Sequence, residues 1–259
     1  MPEPLFVEER RRVILDQIKE QGRVSVKDLS SLMNVSAVTI RQDLRALEDV
    51  GLLERTYGGA VRRESPSALP EMSFHARLGK RRREKEAIAN AAAALVQEGY
   101  TVALDASSTA YALVAHLKTF NRITVVTNSL ITAQSFLDSP QVNVLIPGGR
   151  LRRDSISIVG RPEGLPDINL NIGFFSARGV SLQGGISDVD ADEVAIKQAM
   201  VARCVEAVVV ADGCKWGKVA PYTFIKTEQA RHIITSEDAP VEMVEQFREQ
   251  GTRVDVIAV

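Results

Sequence analysis

The feature that most constrains the fold is an alternation of short β-branched runs with helix-like segments, from residue 101 to the C-terminal residue. Strands are predicted at residues 101–104, 123–126, 142–146, 172–175, 207–211, 232–234 and 254–259. Helices are predicted between them at residues 110–117, 130–137, 193–205 and 241–250. Such alternation is typical of a mainly parallel sheet with helices on both faces, so we predict an α/β domain.

The N-terminal segment has a different pattern, in which short helices follow one another. An amphipathic helix is predicted at residues 8–20, ending at Gly22. Ser25 is predicted to cap a second helix that turns Leu29, Leu32 and Met33 inward and stops near Asn34.

A third helix and a ribbon complete this N-terminal pattern. Ser36 is predicted to cap the helix, which ends at Gly51 and has an apolar face formed by Ala37, Ile40, Leu44 and Leu47. Residues 52–62 are predicted to form two short strands around a glycine turn. Three helices followed by a ribbon indicate a winged helix-turn-helix.

The chain therefore divides into two domains with a linker. We expect the winged helix-turn-helix at residues 1–63 and a linker with two prolines at residues 64–79. The α/β domain, at residues 80–259, is expected to begin with a helix over residues 80–96.

The third helix has the composition of a DNA recognition helix. Such a helix keeps one apolar face on its own domain and presents polar and basic side chains to the DNA. The candidates are Ser36, Thr39, Arg41, Gln42 and Arg45, whereas Asp43 is expected to pair within the domain. A solvated amphipathic helix is the alternative, but the order of helix, helix, capped helix and ribbon favours DNA binding.

Residues 9–61 resemble the DeoR-type family of bacterial sugar regulators. The resemblance lies in Val35-Ser-Ala-Val-Thr-Ile-Arg-Gln-Asp-Leu44 and in Arg55-Thr-Tyr-Gly-Gly-Ala60. It implies operator DNA as a partner and adds Arg55, Tyr57 and Gly58 to the candidate contacts. Members of the family often have a second arginine where this chain has Gln42.

Polar loops follow several of the predicted strands. In parallel α/β sheets, ligands bind at the carboxyl ends of the strands, where a hydroxyl-rich helix start suits a phosphate group. The candidates for effector binding are Asp105, Ser107, Ser108, Thr109, Asn128, Ser129, Gly148, Gly149, Asp188, Glu193, Lys197, Asp212 and Lys215. The alternatives are a plain helix cap at Ser107–Thr109, a tight turn at the glycine pair and a surface salt bridge at Lys215.

Residues 84–259 resemble the sensor domain of the same family. This resemblance implies a Rossmann-like fold similar to ribose-5-phosphate isomerase and a pocket for a phosphorylated sugar or sugar alcohol. The chain has Ser107 where the family usually has glycine, and Cys214 and Trp216 where serine and phenylalanine are common. We expect Ser107 to reshape the phosphate loop and Trp216 to add bulk and an N–H donor near the pocket.

Composition indicates a soluble protein. Apolar residues make up 45% and charged residues 25%, with a formal net charge of −1. No apolar run reaches the roughly 18 residues of a membrane span, so a cytoplasmic protein is expected. Neither the two cysteines nor the three histidines have the spacing of metal ligands, and we expect no metal or cofactor.

Three functions remain open at this stage. The first is a ligand-controlled repressor acting as a homodimer or homotetramer, since two-fold operators require paired reading heads. The second is a sugar-phosphate isomerase fused to a DNA-binding module, with Asp188, Glu193 or Asp212 as the base and Lys215 as its electrostatic partner. The third is a constitutive DNA-binding protein, which leaves the polar loops unexplained.

Overall fold

The computed structural model describes residues 7–49, 53–61 and 73–259. Within it the chain forms two compact units, Met1–Arg77 and Leu78–Val259. Of the predicted linker, residues 74–79 form a helix and residues 64–72 lie outside the described part of the chain. The predicted end of the third helix at Gly51 also lies outside the described residues.

The first unit is a winged helix-turn-helix. Its elements are α1 (Val7–Gln21), β1 (Arg23–Ser25), α2 (Val26–Met33), α3 (Ala37–Asp49), β2 (Glu54–Thr56) and β3 (Gly59–Val61). The next helix, α4 (Phe74–Gly79), includes the last residues of this unit and the first of the second. The three strands form an antiparallel sheet in the order β1-β3-β2. One apolar core joins the helices to the sheet and includes Ile14, Leu29, Ile40, Leu44 and Leu53.

The predicted helix starts in this unit are confirmed. Ser25 Oγ accepts a hydrogen bond from Asp28 N at 3.1 Å, and Ser36 Oγ accepts one from Thr39 N at 3.1 Å. Asn34 ends α2 in the left-handed conformation, with φ of 50°. The inward placement of Leu32 is wrong, because positions 26, 29 and 33 form the buried face of this short helix and leave Leu32 61% exposed.

The second unit is an α/β domain. Its first elements are α5 (Arg82–Ala93), β4 (Thr101–Leu104), α6 (Ser108–Ala112), α7 (Val114–Leu117), β5 (Ile123–Thr127), α8 (Leu130–Ser135), β6 (Val142–Leu145), β7 (Arg150–Arg152) and β8 (Ser157–Val159). The chain continues with β9 (Leu170–Phe175), β10 (Gly179–Ser181), β11 (Gly185–Asp188), α9 (Ala191–Val201), β12 (Cys204–Val210), β13 (Tyr222–Ile225), β14 (His232–Ser236), α10 (Val241–Glu249) and β15 (Arg253–Ile257).

The seven predicted strands form one parallel sheet, in the order β15-β14-β12-β9-β4-β5-β6. From β4 the chain runs outward through β5 and β6, and from β9 it runs the other way through β12 and β14 to β15. The direction of winding therefore changes between β4 and β9. In open parallel sheets such a switch point opens a crevice at the carboxyl ends of the strands, which is where ligands bind.

The two faces of this sheet are covered by different helices. Alternate residues along β4 point to opposite faces: Val102 and Leu104 pack with α5, α6 and α7, whereas Ala103 belongs to the cluster formed by α9 and α10. Both clusters are almost fully buried. The sheet is therefore a rigid platform that fixes the positions of the loops at its carboxyl edge.

The structure corrects several predicted bounds. The helix predicted at residues 193–205 ends at Val201, because Cys204 and Val205 begin β12, where Cys204 pairs with Leu170 of β9. The helix predicted at residues 110–117 is two short helices divided at Leu113. The hairpin β7–β8 and the small antiparallel sheet β10-β11-β13 were not predicted.

Candidate DNA-binding and effector sites

The exposed face of α3 contains three of the eight predicted DNA contacts. Arg41, Gln42 and Arg45 are exposed, and they share one stripe with Val38, which is 61% exposed. The opposite face is buried through Ile40, Leu44 and Leu47. The helix is thus fixed to its domain by one face and presents the other to a partner.

The start of α3 has its own hydrogen-bond arrangement. The hydroxyls of Ser36 and Thr39 lie 2.8 Å apart, and Ser36 Oγ also accepts from Thr39 N. Ser36 is exposed and Thr39 is half-buried. Ser36 therefore caps the helix and still faces the surface.

Asp43 pairs inside the domain, as its sequence context predicts. Arg10 Nε of α1 lies 2.6 Å from Asp43 Oδ2, and Arg11 Nε lies 3.1 Å from Asp43 Oδ1. Asp43 is 2% exposed and Arg10 is 8% exposed. This buried pair fixes the orientation of α3 relative to α1.

The wing residues occupy a second surface of the same unit. Tyr57 is fully exposed at the turn between β2 and β3, where Gly58 has a φ of 91° that favours glycine. Tyr57 and Gly58 line a groove of about 780 Å³ with residues of α1, β1 and α2. Arg55 is linked to the last turns of α3, because its N–H donates to Glu48 Oε1 at 3.0 Å.

At the switch point of the large sheet, Asp105 joins the ends of β4 and β9. Asp105 is fully buried; its Oδ1 accepts from Ser107 N at 3.1 Å and its Oδ2 from Ser176 N at 2.9 Å. Lys197 Nζ lies 2.9 Å from the same Oδ2. Asp105 therefore shapes the loops at the crevice and uses both of its oxygens to do so.

Lys197 is the centre of a buried charge cluster. Its ammonium donates to Ser176 O at 2.8 Å and to Asp188 Oδ2 at 2.6 Å, in addition to its contact with Asp105. Burial disfavours the charge of Lys197, but the two carboxylates outweigh burial and raise the pKa of the lysine above its usual value. With three N–H groups and three acceptors, Lys197 holds β9, β11 and α9 together.

The same cluster stabilises the ionised form of Asp188. Burial acts to raise its pKa, but the charge and hydrogen bond of Lys197, together with Arg178 at 3.8 Å, lower it overall. Glu193, one turn before Lys197 on α9, behaves in the opposite way. Burial raises the pKa of Glu193, and the charges of Lys197 and Arg152 offset this only in part.

The loop after β4 is a capped helix start with two further hydroxyls. Ser107 Oγ accepts from Ala110 N at 3.0 Å, and the φ of Ser107 is −94°, so serine fits here without strain. Ser108 and Thr109 are 7% and 2% exposed. Their hydroxyls lie at the carboxyl end of β4, beside the crevice.

The loop after β5 contains a buried acceptor without a partner. Ser129 Oγ caps α8 by accepting from Thr132 N at 3.1 Å. Asn128 is 1% exposed and its Nδ2 donates to Ile158 O at 3.2 Å. In the described part of the chain, Asn128 Oδ1 and Thr132 Oγ1 have no hydrogen-bond partner.

The hairpin β7–β8 lies against this loop and against α9. Ile158 N donates to Asn128 O at 2.7 Å, and Ser157 Oγ donates to Glu193 Oε1 at 2.7 Å. Arg152 Nε lies 3.1 Å from Asp190 Oδ2 and its Nη1 lies 3.5 Å from Glu193 Oε1. The hairpin thus brings Arg152 and Ser157 to the predicted site.

Of the glycine pair before this hairpin, Gly149 has a packing explanation. A Cβ at Gly149 would collide with the carbonyl oxygen of Val159, where the two legs of the hairpin meet. Nothing lies within 4 Å of the corresponding position at Gly148. We expected the glycine backbone to approach a ligand closely. At Gly149 it instead approaches the backbone of Val159, at the end of the other strand of the hairpin.

The last predicted loop follows β12. Asp212 is 2% exposed; its Oδ1 accepts from Cys214 N at 3.1 Å and lies 3.2 Å from Arg81 Nε. Lys215 is half-buried in the same turn. The indole N–H of Trp216, predicted as a donor near the pocket, donates instead to Thr235 Oγ1 at 2.9 Å, and the ring packs on Phe247 within the core.

A groove of about 750 Å³ lies beside these loops. It is lined by residues of α5, α6, α7 and α8, among them Arg82, Lys85, Tyr111 and Gln134. Ser108 is the one predicted effector residue that lines it. None of the other predicted effector residues lines this groove.

Sequence reasoning did not identify four residues at the sheet edge: Arg81, Arg152, Ser157 and Ser176. Arg152 and Ser157 reach the site through an unpredicted hairpin, and Ser176 contributes backbone atoms, so their residue types gave no signal. Arg81 contacts Asp212 and Asp238, which are distant from it in sequence, so no local pattern indicated its position.

Two observations concern other kinds of site. The described residues contain no group of three His, Cys, Asp or Glu side chains that could hold a metal ion. Among the same residues no helix is long and apolar enough to cross a membrane.

Comparison with protein families identifies both units. Residues 10–66 match the DeoR-like helix-turn-helix domain, and residues 80–237 match the DeoR C terminal sensor domain. The chain belongs to the DeoR family. This DeoR-family protein is a DNA-binding transcription regulator with a sensor domain, and not an enzyme.

Curated relatives match it over almost their whole length. The HTH-type transcriptional regulator GolR of Listeria innocua is 32% identical over 254 residues, covering 97% of this chain and 99% of the relative. A putative aga operon transcriptional repressor of Escherichia coli is 31% identical over 251 residues, covering 96% and 93%. The HTH-type transcriptional repressor CsqR of E. coli is 28% identical over 250 residues, covering 96% and 94%.

Among solved structures, the chain is similar to ribose 5-phosphate isomerase A of Methanocaldococcus jannaschii. The TM-score is 0.38 with 15% sequence identity, covering 57% of each chain. A ribose-5-phosphate isomerase in complex with phospho-erythronic acid gives a TM-score of 0.40 with 10% identity, covering 58% of each chain.

Proposed function

We propose that this DeoR-family protein represses a carbohydrate-utilisation operon under the control of a phosphorylated sugar or sugar alcohol. The observation that carries the effector site is the buried Asn128 Oδ1, which has no partner among the described residues. A buried acceptor is normally hydrogen-bonded, and leaving one unpaired costs about 1–3 kcal/mol. A hydroxyl of the effector supplies the missing donor.

The residues at the sheet edge divide into a phosphate part and a sugar part. For the phosphate we propose the hydroxyls of Ser108 and Thr109 and the charge of Lys215. For the sugar hydroxyls we propose the acceptors Asn128 and Glu193.

The remaining candidates hold this arrangement in place. Asp105, Asp188 and Lys197 form the buried cluster at the switch point, and their hydrogen-bonding groups are used within the protein. Asp212 fixes the turn after β12 by accepting from Cys214 N and pairing with Arg81. Ser107, Ser129, Gly148 and Gly149 set the shape of the loops through their caps and turns.

In the first unit, we propose that operator DNA is bound by α3 and the wing. Ser36, Thr39, Arg41, Gln42 and Arg45 supply the recognition-helix contacts, and Arg55, Tyr57 and Gly58 supply the wing contacts. We further propose that the protein acts in the cytoplasm as a homodimer or homotetramer. Paired reading heads match a two-fold operator.

Isothermal titration of the full chain with phosphosugars and their unphosphorylated counterparts tests the effector site. We expect one phosphosugar to bind and its unphosphorylated form to bind at least 10-fold more weakly. Ser108→Ala and Lys215→Ala should each weaken the phosphosugar alone, whereas Asn128→Ala should weaken both forms.

The control is Asn143→Ala, which changes an exposed asparagine on β6. It should leave both affinities unchanged. Circular dichroism melts separate loss of binding from loss of folding in each variant. Full phosphosugar affinity in folded Ser108→Ala and Lys215→Ala would contradict the phosphate site.

A further inference from the structure

The exposed stripe of α3 contains one apolar residue. Val38 is 61% exposed, and it is followed at intervals of three, four and seven positions by Arg41, Gln42 and Arg45. Ala37, next to it, packs against the apolar core, as does Ile40. Val38 therefore presents a β-branched side chain to the surface that carries the polar and basic residues.

Its place on the helix limits what this valine can contact. Val38 is the second residue of α3, and the N-terminal residues of a recognition helix are those that contact base edges in the major groove. The apolar group that base edges present in that groove is the C5 methyl of thymine. Because valine has few side-chain rotamers in a helix, its two methyl groups are already ordered before contact.

The neighbouring residues fit the same target. Gln42 lies one turn after Val38 on the same stripe, and glutamine pairs with the N6 and N7 atoms of adenine. At the start of the helix, the hydroxyls of Ser36 and Thr39 form a hydrogen bond with their oxygens 2.8 Å apart. The stripe thus places an apolar contact and an adenine-reading amide one helical turn apart.

We propose that Val38 is a specificity-determining residue that reads the C5 methyl of a thymine in each operator half-site. This inference rests on the proposed binding of operator DNA by α3. Val38 was not among the residues predicted from the sequence to contact DNA. Contacts with phosphates carry no sequence information, whereas the contact of Val38 recognises one base.

The test begins with selection of binding sites from random DNA by the full-length wild-type protein. Each thymine of the selected site is then replaced in turn by deoxyuridine, which lacks the methyl group. Affinity is measured at one fixed salt concentration for wild type and Val38→Ala. The control Val219→Ala changes a valine of equal exposure, 61%, in the sensor unit.

We expect one thymine per half-site at which deoxyuridine weakens wild-type binding by about 3- to 10-fold. At that position Val38→Ala should bind thymine and deoxyuridine equally well, whereas Val219→Ala should behave as wild type. If replacing thymine by deoxyuridine changes the affinity of wild type and of Val38→Ala equally at every position, the proposed role of Val38 is overturned. A selection without any consensus would overturn the proposed operator binding itself, and this inference with it.

Discussion

Lys197 Nζ donates to Asp188 Oδ2 at 2.6 Å, inside a cluster whose members are 5% exposed or less. Asp105, from the end of β4, lies 2.9 Å from the same ammonium. Three charged residues from three separate elements thus meet at the switch point of the sheet. They fix the loops that surround the proposed effector site.

Lys197→Met should therefore destabilise the sensor unit strongly. The substitution keeps the volume of the side chain but leaves two buried carboxylates without their shared cation. Removing one partner of a buried pair costs about 3–5 kcal/mol. Urea unfolding at pH 7.5 measures the loss, and Lys118→Met, which breaks an exposed pair with Asp138, should leave the midpoint nearly unchanged.

The pH dependence of this variant should have the opposite sign to that of wild type. In wild type the pKa of Asp188 is lowered in the folded state, so its contribution is present above the pKa of the unfolded chain and is lost below about pH 4. Without Lys197, burial raises the pKa of Asp188 in the folded state above its value in the unfolded chain. The stability of the variant therefore falls as the pH rises. The urea midpoint of Lys197→Met should be higher at pH 5 than at pH 7.5, and a pH-independent midpoint would contradict the assignment.

Asp43→Ala should loosen the recognition helix without affecting the sensor unit. Arg10 would lose a carboxylate 2.6 Å away in a buried setting, which costs about 3 kcal/mol. Hydrogen exchange of peptides covering residues 7–21 and 37–49 should accelerate, and exchange in residues 101–127 should not. Asp16→Ala removes an exposed aspartate of α1 and serves as the control; equal acceleration in both variants would argue against the Arg10–Asp43 pair as the cause.

Substitutions at Ser36 separate capping from DNA contact. Ser36→Ala removes the bond to Thr39 N and should lower stability by about 1 kcal/mol. Ser36→Asp keeps a capping oxygen and favourable charge at the helix start, but it repels a phosphate. If Ser36 contacts the DNA backbone, Ser36→Asp is as stable as wild type and binds DNA at least 10-fold more weakly; wild-type affinity would show that Ser36 acts as a cap alone.

Arg41 and Arg45 should contribute to the salt dependence of DNA binding. Each arginine that neutralises one phosphate adds about 1 to the slope of log affinity against log salt. Arg41→Gln and Arg45→Gln should each reduce that slope by about 1 if they contact phosphates, as measured by anisotropy at several salt concentrations. Lys118→Gln, in the sensor unit, should leave the slope as in wild type, and an unchanged slope in both arginine variants would exclude phosphate contacts for them.

The large sheet could be predicted because its central strands are largely buried on both faces. Each therefore has a short continuous run of β-branched and apolar residues, as at Thr101–Leu104 and Ile123–Thr127. The hairpin β7–β8 has strands of only three residues each, Arg-Leu-Arg and Ser-Ile-Val, which are too short to show an alternating apolar pattern. The end of α9 was placed too late because Val201, Cys204 and Val205 suit a helix or a strand equally well until the pairing with β9 is known.

The candidate site was predicted by residue type but not by role. Polar residues at strand ends indicated where Asp105, Asn128 and Asp212 would lie. Burial and partners decide what each does, and these depend on residues distant in the chain. Lys197 looked like a ligand-binding cation in the sequence, yet its three hydrogen-bonding directions are taken by Ser176, Asp188 and Asp105. The unpartnered Oδ1 of Asn128 could be recognised only once the position of Ile158 was known.

The most direct test of the account is the control of DNA binding by a phosphosugar. DNA from upstream of the protein's own gene and the neighbouring operon is labelled, and fluorescence anisotropy is followed at fixed salt with and without each phosphosugar. The account predicts specific binding that one phosphosugar changes and its unphosphorylated form does not. Specific binding that no phosphosugar alters would contradict the proposed effector site, and equal binding to unrelated DNA would contradict the proposed operator recognition.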